Sequence, residues 1–142
     1  MKSISIRQFI PSDAADCVRI FDRAWNSGHP YAPRRIDLAS FEVETSGETL
    51  LIAEVGNRVA GFVSVYLPQT FVHHLYVEPS LQGRGIGKAL LANALALTGG
   101  QASLKCQTRN ADAISFYRRL GWRDGETGES EFGPWIRLLS PG

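Results

Sequence analysis

Three glycines at alternate positions, Gly83, Gly85 and Gly87, form a turn between a strand-like segment (71–77) and an apolar segment typical of a helix (86–97). Glycine has no Cβ, so a ligand can closely approach the backbone N–H groups of such a turn. The positive end of the following helix dipole favours an anion, and a phosphate suits it. The segment therefore predicts a phosphate-binding turn, and the alternative is a tight turn that binds no ligand.

The spacing of these glycines separates three nucleotide-binding motifs. A Walker A loop needs Gly-x-x-x-x-Gly-Lys followed by Ser or Thr, but here Ala89 follows the lysine. A dinucleotide-binding turn needs Gly-x-Gly-x-x-Gly. If the motif begins at Gly83, its last position is Lys88, and if it begins at Gly85, its last position is Leu90. Neither residue is the glycine that the motif requires. The pattern that remains is Gln82-x-x-Gly85-x-Gly87.

The composition predicts one globular domain over residues 1–142. Hydrophobic residues make up 44% of the chain and charged residues 20%, which is ordinary for a domain that buries a core. A net charge of +1 gives no reason to expect nucleic acid or a membrane as a partner. The N-terminus does not resemble a signal peptide, and no apolar run approaches the roughly 20 residues of a membrane span. Cys17 and Cys106 lie on apolar segments and are expected to be reduced, so we expect a cytoplasmic protein.

The hydrophobic pattern predicts the element order β-α-(α)-β-β-β-α-β-α-β-β, a mixed α/β fold. Helices are expected over 14–28, 86–97 and 111–120, with a short helix in the irregular segment 28–46. Strands are expected around residues 4–6, over 49–55, 58–67, 70–77 and 102–107, around Trp122, and over 134–139. Gly56-Asn57 indicates a two-residue hairpin, and the segment 125–133 is expected to be a loop.

A second motif runs from Asn110 to Trp122 and reads Asn-Ala-Asp-Ala-Ile-Ser-Phe-Tyr-Arg-Arg-Leu-Gly-Trp. Together with the glycine pattern it resembles the GCN5-related N-acetyltransferase (GNAT) superfamily. The signatures of that family are Gln/Arg-x-x-Gly-x-Gly/Ala and Asn-x-x-Ala-x-x-Phe-Tyr-x-x-x-Gly-Phe. Trp122 stands where phenylalanine is more usual. The element order matches that of the superfamily, so the resemblance covers nearly the whole chain.

The resemblance implies a fold, an activity and a cofactor. The fold is a single-domain α/β GNAT-like fold, with a mixed, mostly antiparallel central sheet that is splayed at the acyl-CoA cleft and flanked by helices. The activity is transfer of an acetyl group from acetyl-CoA to an amine of a small molecule or of a protein or peptide. A non-catalytic acyl-CoA-binding or sensory module of the same fold is the alternative.

The resemblance also implies which residues bind acetyl-CoA. The pyrophosphate is expected on backbone N–H groups of the glycine loop, namely Gln82, Gly83, Arg84, Gly85, Ile86, Gly87 and Lys88. The side chains of the arginine and the lysine either add charge or are merely solvated. The pantetheine arm is expected to pair with the backbone of Leu75, Tyr76 and Val77 like an added strand. Asn110 either binds the pantetheine, caps a helix, or does both.

Tyr117 matches the superfamily tyrosine near the sulfur and is expected to act as general acid towards the departing thiolate. Its alternative role is that of a core aromatic residue. A main-chain amide near Leu75 or Tyr76 is the family-derived donor to the oxyanion.

The general base is expected to be His73 or His74, with Glu78 or a water chain as further candidates. Neighbours on a strand point to opposite faces, so at most one histidine faces the cleft unless a bulge intervenes. His73 is the first candidate because some superfamily members use a histidine at the matching position. A hydrogen-bonded strand histidine without a catalytic role is the alternative. No metal site is expected, since His29 and the two cysteines lack ligand spacing.

The acceptor is expected to be selected by the first helix, the irregular segment after it and the last two strands. Arg34 and Arg35 either grip a substrate carboxylate or are solvated, and Trp135 is a core or cleft-wall residue. The expected partner is a small-molecule amine or a peptide. An exposed strand edge near the C-terminus suggests a homodimer.

Overall fold

The computed structural model describes residues 3–142 and contains a seven-stranded sheet flanked by four α-helices. The strands run in the order β1-β2-β3-β4-β5-β7-β6, and every neighbouring pair is antiparallel except β4 and β5. The strands are β1 (Ile4–Gln8), β2 (Thr49–Val55), β3 (Arg58–Tyr66), β4 (Phe71–Val77), β5 (Ser103–Gln107), β6 (Arg123–Ser130) and β7 (Gly133–Leu139). The helices are α1 (Ala14–Gly28), α2 (Leu38–Glu44), α3 (Ile86–Leu97) and α4 (Ala111–Arg119). This confirms the predicted fold class and element order.

The turns follow the local sequence signals. Gly56 and Asn57 take positive φ angles of 54° and 65° in the hairpin between β2 and β3, as a two-residue turn requires. The Asn110 side chain accepts a hydrogen bond from the backbone N–H of Ala113 at 3.3 Å and so caps α4. The Asp37 side chain caps α2 in the same way through Ser40.

Each face of the sheet carries its own hydrophobic core. One core packs α3 and α4 against the strands, with Leu90 and Ile114 among its buried residues. The other packs α1 and α2 against the opposite face around Phe21 and Phe62. Cys17 and Cys106 are buried and free, as expected. Within the described residues, no helix combines the length and the apolar character needed to cross a membrane.

The sheet opens between β4 and β5. These two strands pair only at Phe71 with Ser103 and at Val72 with Leu104. From residue 73 onward β4 has no strand partner on that side among residues 3–142, so a cleft forms where its carboxyl end leaves β5. The predicted splay is therefore present.

The expected loop over 125–133 is wrong, because β6 continues to Ser130 and joins β7 in a hairpin. The hydrophobic pattern does not reveal this part of β6, because β6 is the polar edge strand of the sheet and most of its residues are exposed. Its pairing shifts register between Asp124 and Thr127, which further disguises the alternation. Gly128 lies under the ring of Trp135, where a Cβ would come within 2.3 Å of the indole.

Candidate active site

The glycine loop forms an open cradle at the start of α3. Gly83 and Gly85 have φ angles of 82° and 87°, in the left-handed region that favours glycine. A Cβ at either position would meet nothing within 4 Å, so the space above the backbone is free. Gly87 instead packs closely, since its Cβ would lie 3.4 Å from the Phe116 ring. The cradle therefore has the open backbone and the helix end that a diphosphate requires.

A cavity of about 370 Å³, the loop cavity, lies over this cradle between β4, α3 and α4. Its walls include nearly all positions predicted to bind acetyl-CoA, namely Leu75, Tyr76, Val77, Gln82, Gly83, Gly85, Ile86, Gly87, Lys88, Asn110 and Tyr117. Arg84 is exposed and does not line it. The structure therefore does not place the Arg84 side chain at this cavity.

A second cavity of about 370 Å³, the histidine cavity, is lined by β4, β5, α1 and the β6–β7 hairpin. Its walls include Trp25, Arg34, Glu44, His73, His74, Phe132 and Trp135. It shares six lining residues with the loop cavity, namely His29, Leu75, Tyr76, Asn110, Ala113 and Tyr117. The two cavities therefore meet in the gap between β4 and β5.

Tyr117 lies at this junction, on the face of α4 that packs against the sheet. The residue is only 8% exposed. Burial raises the pKa of its phenol well above the ordinary value. The hydroxyl therefore keeps its proton at neutral pH.

A β-bulge brings His73 and His74 together. Ser64 pairs with His74 and Val65 with Val72, so His73 has no partner on β3. The two imidazole rings lie 3.8 Å apart, centre to centre, and both line the histidine cavity. The bulge is the exception under which both histidines of this strand can line one cavity.

The surroundings of the two histidines differ. His73 is exposed, and its Nδ1 lies 2.6 Å from Oε2 of Glu48. The other oxygen of Glu48 accepts a hydrogen bond from the buried Ser64 hydroxyl. His74 is 4% exposed, and within residues 3–142 neither of its ring nitrogens has a hydrogen-bond partner. Burial, helped by the neighbouring His73, lowers the pKa of His74 to about 3, so its ring is neutral at physiological pH.

Arg34 is held by an ion pair and by aromatic rings at the wall of the histidine cavity. Its Nη2 lies 2.5 Å from Oε2 of Glu44. Its guanidinium carbon lies 4.8 Å from the centre of the Trp25 ring and 4.6 Å from that of Phe132. Arg35 is exposed and does not line the histidine cavity.

Glu78 is excluded from both cavities. Its buried carboxylate pairs with Arg19 at 2.9 Å and with Arg23 at 3.0 Å, both on α1. These ion pairs do not support Glu78 as the general base.

Sequence reasoning misses Glu44, Glu48 and Ser64. The two glutamates lie at the end of α2 and in the turn that follows, far along the chain from β4. No spacing rule connects them with the histidines, and only the packing of α2 against the sheet does so.

Comparisons with known proteins agree with this geometry. A family model described as the acetyltransferase (GNAT) family matches residues 14–122. A mycothiol acetyltransferase of Clavibacter michiganensis subsp. michiganensis is 34% identical over 85% of this chain, which spans 43% of that protein. The peptidyl-lysine N-acetyltransferase YjaB of Salmonella typhimurium is 25% identical over 97% of this chain and 99% of its own length. The structure of yncA from Salmonella typhimurium with its cofactor acetyl-CoA superposes with a TM-score of 0.75 at 21% identity, covering 97% of this chain and 93% of that one.

Proposed function

This chain belongs to the acetyltransferase (GNAT) family, and from that premise we propose that it transfers an acetyl group from acetyl-CoA to an amine. The acceptor is an amine of a small molecule or of a protein or peptide. The observation that carries the proposal is the meeting of the loop cavity and the histidine cavity at Tyr117. One cavity suits an acyl-CoA and the other an acceptor, and the gap between β4 and β5 connects them.

The loop cavity is the proposed site of acetyl-CoA, which supplies an acetyl group activated as a thioester. The backbone N–H groups from Gln82 to Lys88 hold the pyrophosphate, over the open space that a Cβ at Gly83 or Gly85 would fill. The free edge of β4 at Leu75–Val77 pairs with the pantetheine arm. The Asn110 side-chain oxygen is engaged in capping α4, so its amide nitrogen is the proposed donor to the arm.

The histidine cavity is the proposed site of the amine. An amine with an ordinary pKa of about 10.4 must lose a proton before it attacks the thioester. His73 is the proposed base, because it is exposed to the cavity and Glu48 holds its ring. His74 remains the second candidate, although a buried imidazole with a pKa of about 3 holds a proton poorly.

Tyr117 is the proposed general acid. Its phenol lies between the two cavities and carries a proton at neutral pH. Burial makes it a weaker acid than a free phenol, so the proposal rests on its position beside the gap where the thioester would lie. A main-chain amide at Leu75 or Tyr76, both of which line each cavity, is the proposed donor to the oxyanion.

The proposal extends to the setting of the protein. Its two buried free thiols support a cytoplasmic location. The net charge of +1 supports an enzyme that needs neither nucleic acid nor a membrane. The edge strand β6 is the proposed surface of a homodimer, and residues 1–142 form the proposed catalytic domain.

The test is release of free thiol from acetyl-CoA in the presence of an amine panel. The panel includes small monoamines and diamines, a lysine-containing peptide, and a peptide with a free N-terminus. Amine-dependent release that saturates with both substrates supports the enzyme and names the acceptor class. If CoA binds tightly but no amine promotes release, the chain is instead an acyl-CoA-binding module of the same fold.

A further inference from the structure

We propose that Glu44, His73 and His74 form a binding site for a divalent transition-metal ion such as Zn²⁺. One ligand atom from each of these residues lies within 4.8 Å of the other two. The two histidines come from the bulge of β4, and the glutamate is the last residue of α2. The site does not depend on the proposed acetyl transfer.

His74 points independently to a ligand. The residue is buried, lines the histidine cavity, and leaves both ring nitrogens without a hydrogen-bond partner among the described residues. Buried polar atoms without a partner are uncommon, and a bound ion is one of the ordinary explanations for them.

The atoms around the three residues orient them. Oε2 of Glu44 is held by Arg34, which leaves Oε1 facing Nε2 of His74 at 4.0 Å. Nδ1 of His73 is held by the carboxylate of Glu48. Carboxylates that fix a metal-binding imidazole in this way are the usual outer partners of such sites. Glu48 is placed to serve as this outer partner.

The donor set and the distances select the class of ion. Two imidazoles and one carboxylate are typical of Zn²⁺ with an open coordination position, whereas Mg²⁺ and Ca²⁺ prefer oxygen ligands only. Tetrahedral ligands at Zn²⁺ distances lie about 3.4 Å apart, so the Glu44–His74 separation of 4.0 Å must shorten by about 0.6 Å. The other ligand atoms, which lie within 4.8 Å of one another, must also draw in around the ion. Glu44 is partly exposed at the end of a seven-residue helix, and its side chain can make this adjustment.

The site overlaps the proposed acceptor cavity, and this has a consequence for regulation. An ion bound there would coordinate His73, the proposed base, and take up space in the cavity where the amine is proposed to bind. Where the proposed function holds, Zn²⁺ therefore inhibits acetyl transfer in competition with the amine and not with acetyl-CoA, and a chelator relieves the inhibition. This consequence rests on the proposed function, but metal binding itself does not.

The test uses the full chain without a histidine tag, stripped of metal by a chelator. Co²⁺ is titrated and followed through its visible absorption, and Zn²⁺ is titrated in competition with a chromogenic chelator. We expect one ion per chain. His73→Ala and Glu44→Gln should each weaken binding by at least about 10-fold.

His29→Ala is the matched control. His29 is the third histidine of the chain, it stacks on Trp25 with ring centres 3.8 Å apart, and it is not part of the cluster. Its substitution should leave the affinity for Co²⁺ unchanged. His73 is exposed, so His73→Ala avoids the risk of unfolding that the buried His74 carries. His29 is also buried, so a thermal melt must show that His29→Ala is folded before its affinity is compared.

Two results would overturn the proposal. One is the absence of stoichiometric Co²⁺ or Zn²⁺ binding by the unmodified chain. The other is equal binding by His73→Ala, Glu44→Gln and the unmodified chain, because the ion would then bind elsewhere. If metal binds as expected but no amine is ever acetylated, the metal site stands and the proposed function fails.

Discussion

Tyr117 and Asn110 show at the scale of single residues how far a motif determines a site. Both belong to the second sequence motif, and both line the two cavities where they meet. Their placement follows from helical spacing, because α4 begins directly after Asn110. The role of Tyr117 as an acid does not follow from that placement and needs a kinetic test.

Tyr117→Phe should lower kcat by about 100-fold or more, since a positioned acid contributes roughly 10²–10⁴. Acetyl-CoA affinity should change little, because the ring that lines the cavity is retained. Steady-state kinetics with the best amine, together with calorimetric titration of CoA, measures both quantities. Tyr66→Phe is the control, since Tyr66 ends β3 and lines neither cavity. Equal turnover of the two variants would remove the acid role.

Asp13 lies in a different residue-scale arrangement, at the start of α1. Its buried carboxylate accepts two hydrogen bonds from the Arg7 guanidinium, each 2.8 Å long, and a third from the backbone N–H of Ile10. The Arg7 side chain is the main cause that lowers the pKa of Asp13 below its ordinary 3.8. The ionised carboxylate therefore stabilises the folded state at neutral pH.

Asp13→Asn should lower the free energy of unfolding at pH 6 by about 1–3 kcal/mol. Because the folded pKa is depressed, the contribution of Asp13 is present above pH 3.8 and is lost as the pH falls below that value through the folded pKa. The difference between variant and unmodified chain should therefore shrink between pH 6 and pH 3 in urea titrations. Asp16→Asn, at an exposed pair with Arg19, should change stability by less than about 1 kcal/mol at either pH. A difference for Asp13→Asn that does not vary with pH would contradict this account.

At the scale of elements, the sequence predicts regular structure well and its interruptions poorly. The helices and six of the strands follow from periodicity, caps and glycine turns, because each buries one apolar face. Only the start of β6 is predicted, around Trp122, and its continuation to Ser130 is missed because an exposed edge needs no apolar alternation. The position of the bulge at His73 is not predicted, because nothing in the residue pattern marks the extra residue. The proximity of His73 to Glu44 and Glu48 depends on the fold and is not predicted either.

The loop before α3 gives an element-scale prediction. Gly85→Ala should weaken CoA binding by about 10-fold or more, because the new methyl group enters the open space above the backbone. Gly99→Ala is the matched control, because Gly99 has a φ angle of 72° and a Cβ there would also meet no atom within 4 Å. Gly99 lies beyond the C-terminal end of α3, away from the glycine loop. Both should cost similar stability from backbone strain, and only the first should affect CoA affinity in calorimetry. Equal CoA affinity in both variants would mean that the loop holds no pyrophosphate.

The β6–β7 hairpin provides a second element-scale prediction. Gly128→Ala should lower stability by about 1–3 kcal/mol, since its Cβ would overlap the Trp135 ring at 2.3 Å. Trp135 lines the histidine cavity, so KM for the amine should change more than KM for acetyl-CoA. A thermal melt and the two KM values are the measurements.

Trp135→Phe removes part of the ring and should make the glycine substitution less damaging. The double variant should therefore be more stable than the sum of the two single changes predicts. If the stability changes of the two single variants simply add up in the double variant, the Trp135 ring is not what the new methyl group displaces.

At the scale of the whole molecule, seven strands form one sheet whose two parts are joined at β4 and β5 by only two residue pairs. The part β1–β4 carries α3 and the glycine loop, and the part β5–β7 carries the wall made by Trp135 and Phe132. This division places the proposed cofactor contacts mainly on one part. The acceptor wall lies partly on the other, and the gap between them is where the two cavities meet.

The unpaired edge of β4 also has a consequence for hydrogen–deuterium exchange. Backbone amides of residues 73–77 that face the gap have no β5 carbonyl to protect them, so they should exchange quickly in the free protein. An extended ligand that pairs with this edge would slow them, while amides between β2 and β3 would keep their protection with or without ligand. The deuterium uptake of residues 73–77, measured by mass spectrometry, would therefore report whether a ligand occupies the gap. This measurement does not require the acceptor amine to be known.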